Sequence, residues 1–310
     1  MRDALGTGIK VTEKFEVNSI LWLRSLPCDE RGPSQRMIED IETLALSNEN
    51  FRFEIMEIGS AADMLDTLSL IAERCRSGLR PILHFDCHGS EALGVNLAPS
   101  GENLGWATLA DALREINVAA KNNICCIFGV CFGMHLSMDL ALSKPTPYFL
   151  TIAPEREIAV GILEEKFPRF YNALYETGNI TASYQTTLAP DLSAFQCQEV
   201  FGKAFATYIV NHTSGSAMKL RRESLLTRLL ALLGLETPSP HQLDQARKHI
   251  RTGLKLTQEQ VDHFANIFLI GRKPGFGLVE IQRLADSMRD RRAAEQKRAL
   301  KAERMLARLR

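Results

Sequence analysis

The chain has 310 residues, 45% of them hydrophobic, and its 37 Lys/Arg are balanced by 37 Asp/Glu. That length buries a substantial core and reads as one large domain plus a smaller one, while zero net charge removes any whole-chain argument for nucleic acid or membrane affinity. The seven cysteines follow no framework spacing, and neither a leader-like segment nor an eighteen-residue apolar run stands in the sequence, so the expectation is a cytoplasmic protein with reduced thiols.

Residues 1–16 are polar and irregular, a lead-in or edge element. Ser19 to Leu23 reads as a first strand, and Leu26 to Pro33 as a loop with clear breakers. Ser34 is placed to cap a helix whose apolar positions Met37, Ile38, Ile41 and Leu44 recur at helical spacing. Phe51 to Ile58 alternates as a second strand, and Ser60 starts a helix with Met64, Leu65, Leu68 and Ile71 on one face. The run Pro81-Ile82-Leu83-His84-Phe85-Asp86 is a short buried strand ending in Cys87-His88-Gly89-Ser90. The order is βαβαβ, with connections long enough for a parallel sheet.

Ala92 to Leu97 forms a hairpin-like excursion, and Leu104 to Ile116 a helix. A second central strand, Ile124 to Val130, runs into Cys131-Phe132-Gly133, with a helix expected from Met134 to Leu142. Further strands are read at Pro147 to Ile152 and Phe195 to Val200, around a long helix from Glu157 to Tyr175 and helical or mixed structure from Thr181 to Thr187. From Gly202 onward the periodicity is helical nearly throughout. The break at Thr213-Ser214-Gly215-Ser216 divides the chain into 1–213, an α/β domain with a mostly parallel central sheet, and 214–310, a helical accessory region. No glycine-rich dinucleotide fingerprint or phosphate loop is present.

The final helix is basic: Arg283 to Arg310 holds ten Lys/Arg against four Asp/Glu, a local net of +6. It reads as a solvated terminal helix or as a docking helix for a regulatory protein partner. Glu295 and Glu303 dilute the charge and no aromatic residues interleave, which argues against nucleic acid and against a membrane surface.

The chemistry concentrates at the ends of the two central strands. In an open α/β sheet, ligands and reactions gather beyond the carboxyl ends of the strands. Cys131 supplies a nucleophile, His88 an imidazole to take and return a proton, and the N–H groups of Gly89 and Cys131 an oxyanion site. A helix starting after Cys131 would favour the thiolate. Asp86 either holds His88 in one tautomer or caps the following turn, and Ser90 and Glu91 are candidates for the pocket rim. Cys87, His88, Cys125, Cys126, Cys131 and His135 also invite a zinc reading. Cys125 and Cys126 point to opposite faces of a strand, however, and short paired-ligand spacings are missing, so no metal is expected.

The succession of strand, His88-Gly89, excursion, helix, strand and Cys131-Phe132-Gly133 resembles the caspase-like cysteine peptidases, and most of all their bacterial CHAT-type branch. Gly105-Trp106-Ala107-Thr108-Leu109, entering a helix that ends at Ile116-Asn117, is similar to that branch, as is the stretch Phe170 to Ile180. The resemblance covers about Ser19 to His212. It implies a caspase-like three-layer fold, His88 as general base, Cys131 as nucleophile and Gly89 as oxyanion glycine. It further implies endopeptidase activity through an acyl-enzyme, without metal or organic cofactor, on a specific protein substrate in bacterial signalling or antiviral defence. The chain departs from true caspases in lacking Gln-Ala-Cys-x-Gly, and Gly129 and Val130 stand where basic-specific members often carry an acid. The cleavage preference stays open between small and basic residues, and a non-catalytic scaffold of the same fold is the alternative.

Overall fold

The structure is a computed structural model and describes residues 2–4, 9–11, 14–46, 52–138, 140–189, 191–212, 215–254 and 256–308. The chain opens with β1 (Arg2–Ala4) and β2 (Ile9–Val11), an antiparallel pair. It continues through β3 (Ser19–Ser25), α1 (Arg31–Leu46), β4 (Arg52–Glu57), α2 (Ala61–Arg76) and β5 (Pro81–Ser90). β6 (Gly94–Leu97), β7 (Glu102–Leu104), α3 (Trp106–Ala119), β8 (Cys125–Phe128) and β9 (Leu150–Ala153) follow. Then come α4 (Val160–Thr177), α5 (Ile180–Thr187), β10 (Ser193–Gln196), α6 (Cys197–His212), α7 (Gly215–Leu232), α8 (Pro240–Gly253), α9 (Gln258–Phe268) and α10 (Leu278–Arg308).

The chain divides into two compact units: Glu13–Gln198 with Asn266–Arg272, and Met1–Thr12 with Glu199–Ala265 and Lys273–Arg310. This differs from the expected 1–213 and 214–310. The division falls inside α6, the first twelve residues group with the C-terminal helices, and a short late segment returns to the sheet unit. Asn122 explains that return: its side chain donates to the Leu269 carbonyl at 3.1 Å, and its own carbonyl accepts from Arg272 Nη1 at 3.0 Å. Thr213 and Ser214, where the boundary was expected, lie outside the described residues.

In the first unit the sheet runs β10-β9-β8-β5-β3-β4, parallel except for the antiparallel pair β9–β10, and is therefore mixed but mostly parallel. The chain starts in the middle at β3, moves outward to β4, then crosses back to β5 and on to β8. Right-handed crossovers put the helices of oppositely directed steps on opposite faces. Accordingly α1 packs with α4, and α2 with α3. The reversal of direction lies between β3 and β5, the place where such sheets open a crevice at the carboxyl ends of their strands.

Local chemistry explains most elements. Ser60 accepts from the Asp63 N–H at 3.1 Å and caps α2, as the sequence suggests. The expected Ser34 cap is wrong: a 3-10 turn at Cys28–Glu30 leads straight into α1, leaving Ser34 inside the helix. Gly32 and Pro33, read as breakers, sit in the first turn of α1, where a proline's missing N–H costs nothing. The helix expected from Met134 to Leu142 is only a 3-10 turn at Gly133–Ser137. Its early N–H groups are taken by other backbone, Phe132 donating to Arg156 O and Met134 to Pro154 O, so no i−4 ladder starts there. The second strand begins at Arg52; Phe51 lies outside the described residues, as does Asp139.

The second unit is built on Phe201, Phe205, Val261, Ile281 and Leu284. Phe205 meets Phe264 at 5.8 Å between ring centroids, and Phe201 meets Phe276 at 6.3 Å. α7 and α8 share a small cluster of Leu226, Ala246 and Ile250. Ser239 and Gln242 form a reciprocal capping box at the start of α8. From Asp290 onward every described side chain of α10 is exposed; Leu309 and Arg310 lie outside the described residues. No helix among the described residues is long and apolar enough to cross a membrane.

Candidate functional site

Strand β5 positions the site through its pleat. Successive side chains alternate faces. Leu83, Phe85 and Cys87 therefore enter the core with Met64 and Leu68 of α2 and Leu109 and Leu113 of α3. His84, Asp86 and His88 form a polar column on the opposite face, toward α1 and α4.

His84 is fully buried at the base of that column. Its Nδ1 lies 2.8 Å from the Tyr171 hydroxyl, and its ring stacks on Trp22 at 3.6 Å between centroids. Burial holds its imidazole well below the usual range, so it is neutral. Asp86 comes next, also buried, and accepts from Trp22 Nε1 at 2.9 Å and from the Ser34 hydroxyl. Burial pushes its carboxyl up, against the lowering effect of those two bonds and of the Arg24 and His88 charges. Arg24 is its register partner across β3–β5 and is itself tied to Glu57 at 2.8 Å and Gln35 at 3.1 Å.

His88 tops the column. β8 pairs only with Ile82 to Phe85, so the end of β5 projects past its neighbour, pairing with β6 from His88 to Ser90. The His88 side chain is consequently 51% exposed, and its Nε2 lies 2.6 Å from Glu30 Oε2, on a side chain equally exposed. The carboxylate bound to the imidazole is thus Glu30, which the sequence reading passed over as part of a loop. Asp86, the expected candidate for holding His88, is committed to Trp22 and Ser34. Glu30 stands five residues past the end of β3; its signal was position after a strand end, and only the neighbouring of β3 and β5 gives that position meaning.

Cys131 follows β8 in a partly buried turn. Its Sγ accepts from the Ile158 N–H at 3.5 Å and lies 3.8 Å from the Ile158 carbonyl. Phe132 beside it has φ 59°, a left-handed conformation that costs a side-chain-bearing residue roughly 1–2 kcal/mol. Gly89 fits tightly against this turn. A Cβ there would overlap the Cys131 carbonyl oxygen and approach Val130 Cγ1 to 2.5 Å, so only glycine allows the two backbones to meet. This contact brings together the strand end that carries His88 and the turn that carries Cys131.

Ser90 lies in the same strand end, its carbonyl accepting from Trp106 Nε1 at 3.0 Å, and Glu91 is exposed in the turn after it. The α-helix expected to begin beside Cys131 is missing, and with it the dipole proposed to favour the thiolate. His135 packs its ring edge-on against Phe132, a structural role. Cys87, Cys125 and Cys126 are buried, and burial pushes all three thiols up. No group of three or more His, Cys, Asp or Glu among the described residues is arranged to hold a metal ion. No protein-family model matches the chain, and no curated protein matches it.

Proposed function

We propose that the chain is a cysteine endopeptidase of the caspase-like superfamily, nearest its bacterial CHAT-type branch, cutting a specific protein partner in signalling or defence. The observation that carries this reading is the approach of Gly89 to Val130 and Cys131. It sets a half-exposed histidine one residue away from backbone that touches the thiol-bearing turn.

In this mechanism Cys131 Sγ gives its proton to His88 and attacks the scissile carbonyl carbon. The oxyanion forms against the N–H groups of Gly89 and Cys131. The C–N bond breaks, His88 passes the proton to the leaving amine, and a thioester remains. Water then opens the thioester, giving one proton to His88, which returns it to the sulfur as the acid product leaves.

The test uses a mixed-sequence peptidyl acyloxymethyl ketone on the full chain, with peptide mapping of the modified cysteine. Cys131 reacts in the wild type, and His88→Ala slows that reaction by about 10²–10⁴-fold. Undiminished proteolysis by folded Cys131→Ala overturns the proposal. The competing reading, a scaffold that binds its partner without cutting it, draws on the two backbone contacts that Ile158 makes to the sulfur. It requires that Cys131 stay unmodified while exposed Cys28 reacts.

A further inference from the structure

We infer that Glu30 is the positioning residue of this site, holding the His88 imidazole in the one tautomer that can accept a proton from Cys131. The inference rests on reading Cys131 and His88 as a dyad. The Glu30 Oε2 to His88 Nε2 distance is 2.6 Å, slightly shorter than the usual range for a charge-assisted N–H···O hydrogen bond. An ionised carboxylate offers only lone pairs, so Nε2 must carry the hydrogen. In the neutral ring the lone pair is then on Nδ1, which becomes the only nitrogen able to take the thiol proton. Once that proton arrives the ring is a cation, and the same carboxylate stabilises it without moving, as a buried aspartate does in serine-protease triads.

Three features fix Glu30 where the role needs it. Its N–H donates to the Pro27 carbonyl at 3.1 Å, closing the 3-10 turn. Arg31, the next residue, is clamped by the Leu26 carbonyl at 3.2 Å and by Glu57 at 3.5 Å. The α1 helix starts directly afterwards. Strand order supplies the rest: Ser25 is in register with Cys87 across β3–β5, so the turn leaving β3 and the projecting end of β5 share one edge. Asp86, the other carboxylate on that column, is engaged by Trp22 and Ser34 and does not compete. A pair in which both side chains are 51% exposed adds little stability, so the contact is read as orientation.

The experiment records long-range ¹H–¹⁵N correlations of the histidine rings in the full ¹⁵N-labelled chain, and the rate at which iodoacetamide alkylates Cys131, followed by peptide mapping. The wild type shows His88 protonated on Nε2. Glu30→Ala gives a tautomer mixture and slows Cys131 alkylation by about 10–100-fold, the loss that follows removal of the carboxylate partner from a metal-bound histidine, with an unchanged melting temperature. Glu30→Gln, which can offer its oxygen or its NH₂, falls between. An unaltered His88 tautomer in Glu30→Ala overturns the inference. A tautomer that shifts while His88→Ala leaves Cys131 alkylation unchanged supports the Glu30–His88 link and removes the dyad instead.

Discussion

His84 and His88 stand four residues apart on the same face of β5, and the two ends of that face are different solvents. At His84 both neighbouring strands flank β5, with Trp22 stacked on the ring and Tyr171 capping it, so the imidazole is neutral and serves packing. At His88 β8 has already ended, water reaches the ring, and a carboxylate sits on Nε2. The length of the neighbouring strand separates a core histidine from an exposed one. Asp86 lies between them and shares the fate of the buried end, which is why its charge is spent on Trp22 and Ser34.

Exchanging the two histidines for alanine tests this contrast most strongly. His84→Ala leaves a cavity and strands the Tyr171 hydroxyl, an expected loss of roughly 3–4 kcal/mol in urea unfolding. His88→Ala costs no more than about 0.5 kcal/mol, as exposed positions do, and on the proposed mechanism slows Cys131 labelling by about 10²–10⁴-fold. Equal destabilisation by both changes would erase the distinction between the two ends.

A smaller effect comes from Gly89→Ala, where the added methyl meets the Cys131 backbone as well as the Val130 side chain. Overpacking of this kind costs about 1–3 kcal/mol, and a shift of ~1 Å between strand end and turn lowers Cys131 reactivity about 10²-fold. Full reactivity in that variant would mean that Gly89 does not set the geometry.

The smallest effects are slopes of stability against pH. The His84 pKa in the folded chain lies well below 6.5. As pH drops through that value the unfolded chain binds a proton that the folded chain refuses, and stability falls. Asp86 has the opposite sign: its folded pKa is raised above 3.8. As pH rises from that value the unfolded chain loses its proton first, and stability again falls. Chemical unfolding at a series of pH values should find the first slope flattened in His84→Phe and the second in Asp86→Asn. Unchanged slopes would show that these groups titrate elsewhere.

The strand-end placement of the candidate residues was legible before the fold was known, because it depended on local pattern. The apolar runs before His88 and Cys131 end where a buried strand meets polar residues, and that placed both side chains at strand ends. The Ser60 cap and the helical stripe of α2 were equally local. Ser34 misled because a serine three residues ahead of an apolar stripe looks the same whether its hydroxyl caps a helix or reaches Asp86, 52 positions away. The short turn after Cys131 misled because backbone around Pro154 and Arg156, distant in sequence, takes the N–H groups a helix needed.

The sequence by itself determined most of the strands and helices and which residues carry a proton or a thiol, since periodicity and side-chain chemistry belong to neighbouring residues. Tertiary structure decided that β3 lies beside β5, that β8 stops five residues short of the end of β5, and that Glu30 therefore meets His88 across 58 positions. Those are outcomes of strand order and relative strand length, set by the burial of both sheet faces together, and no window along the chain contains them.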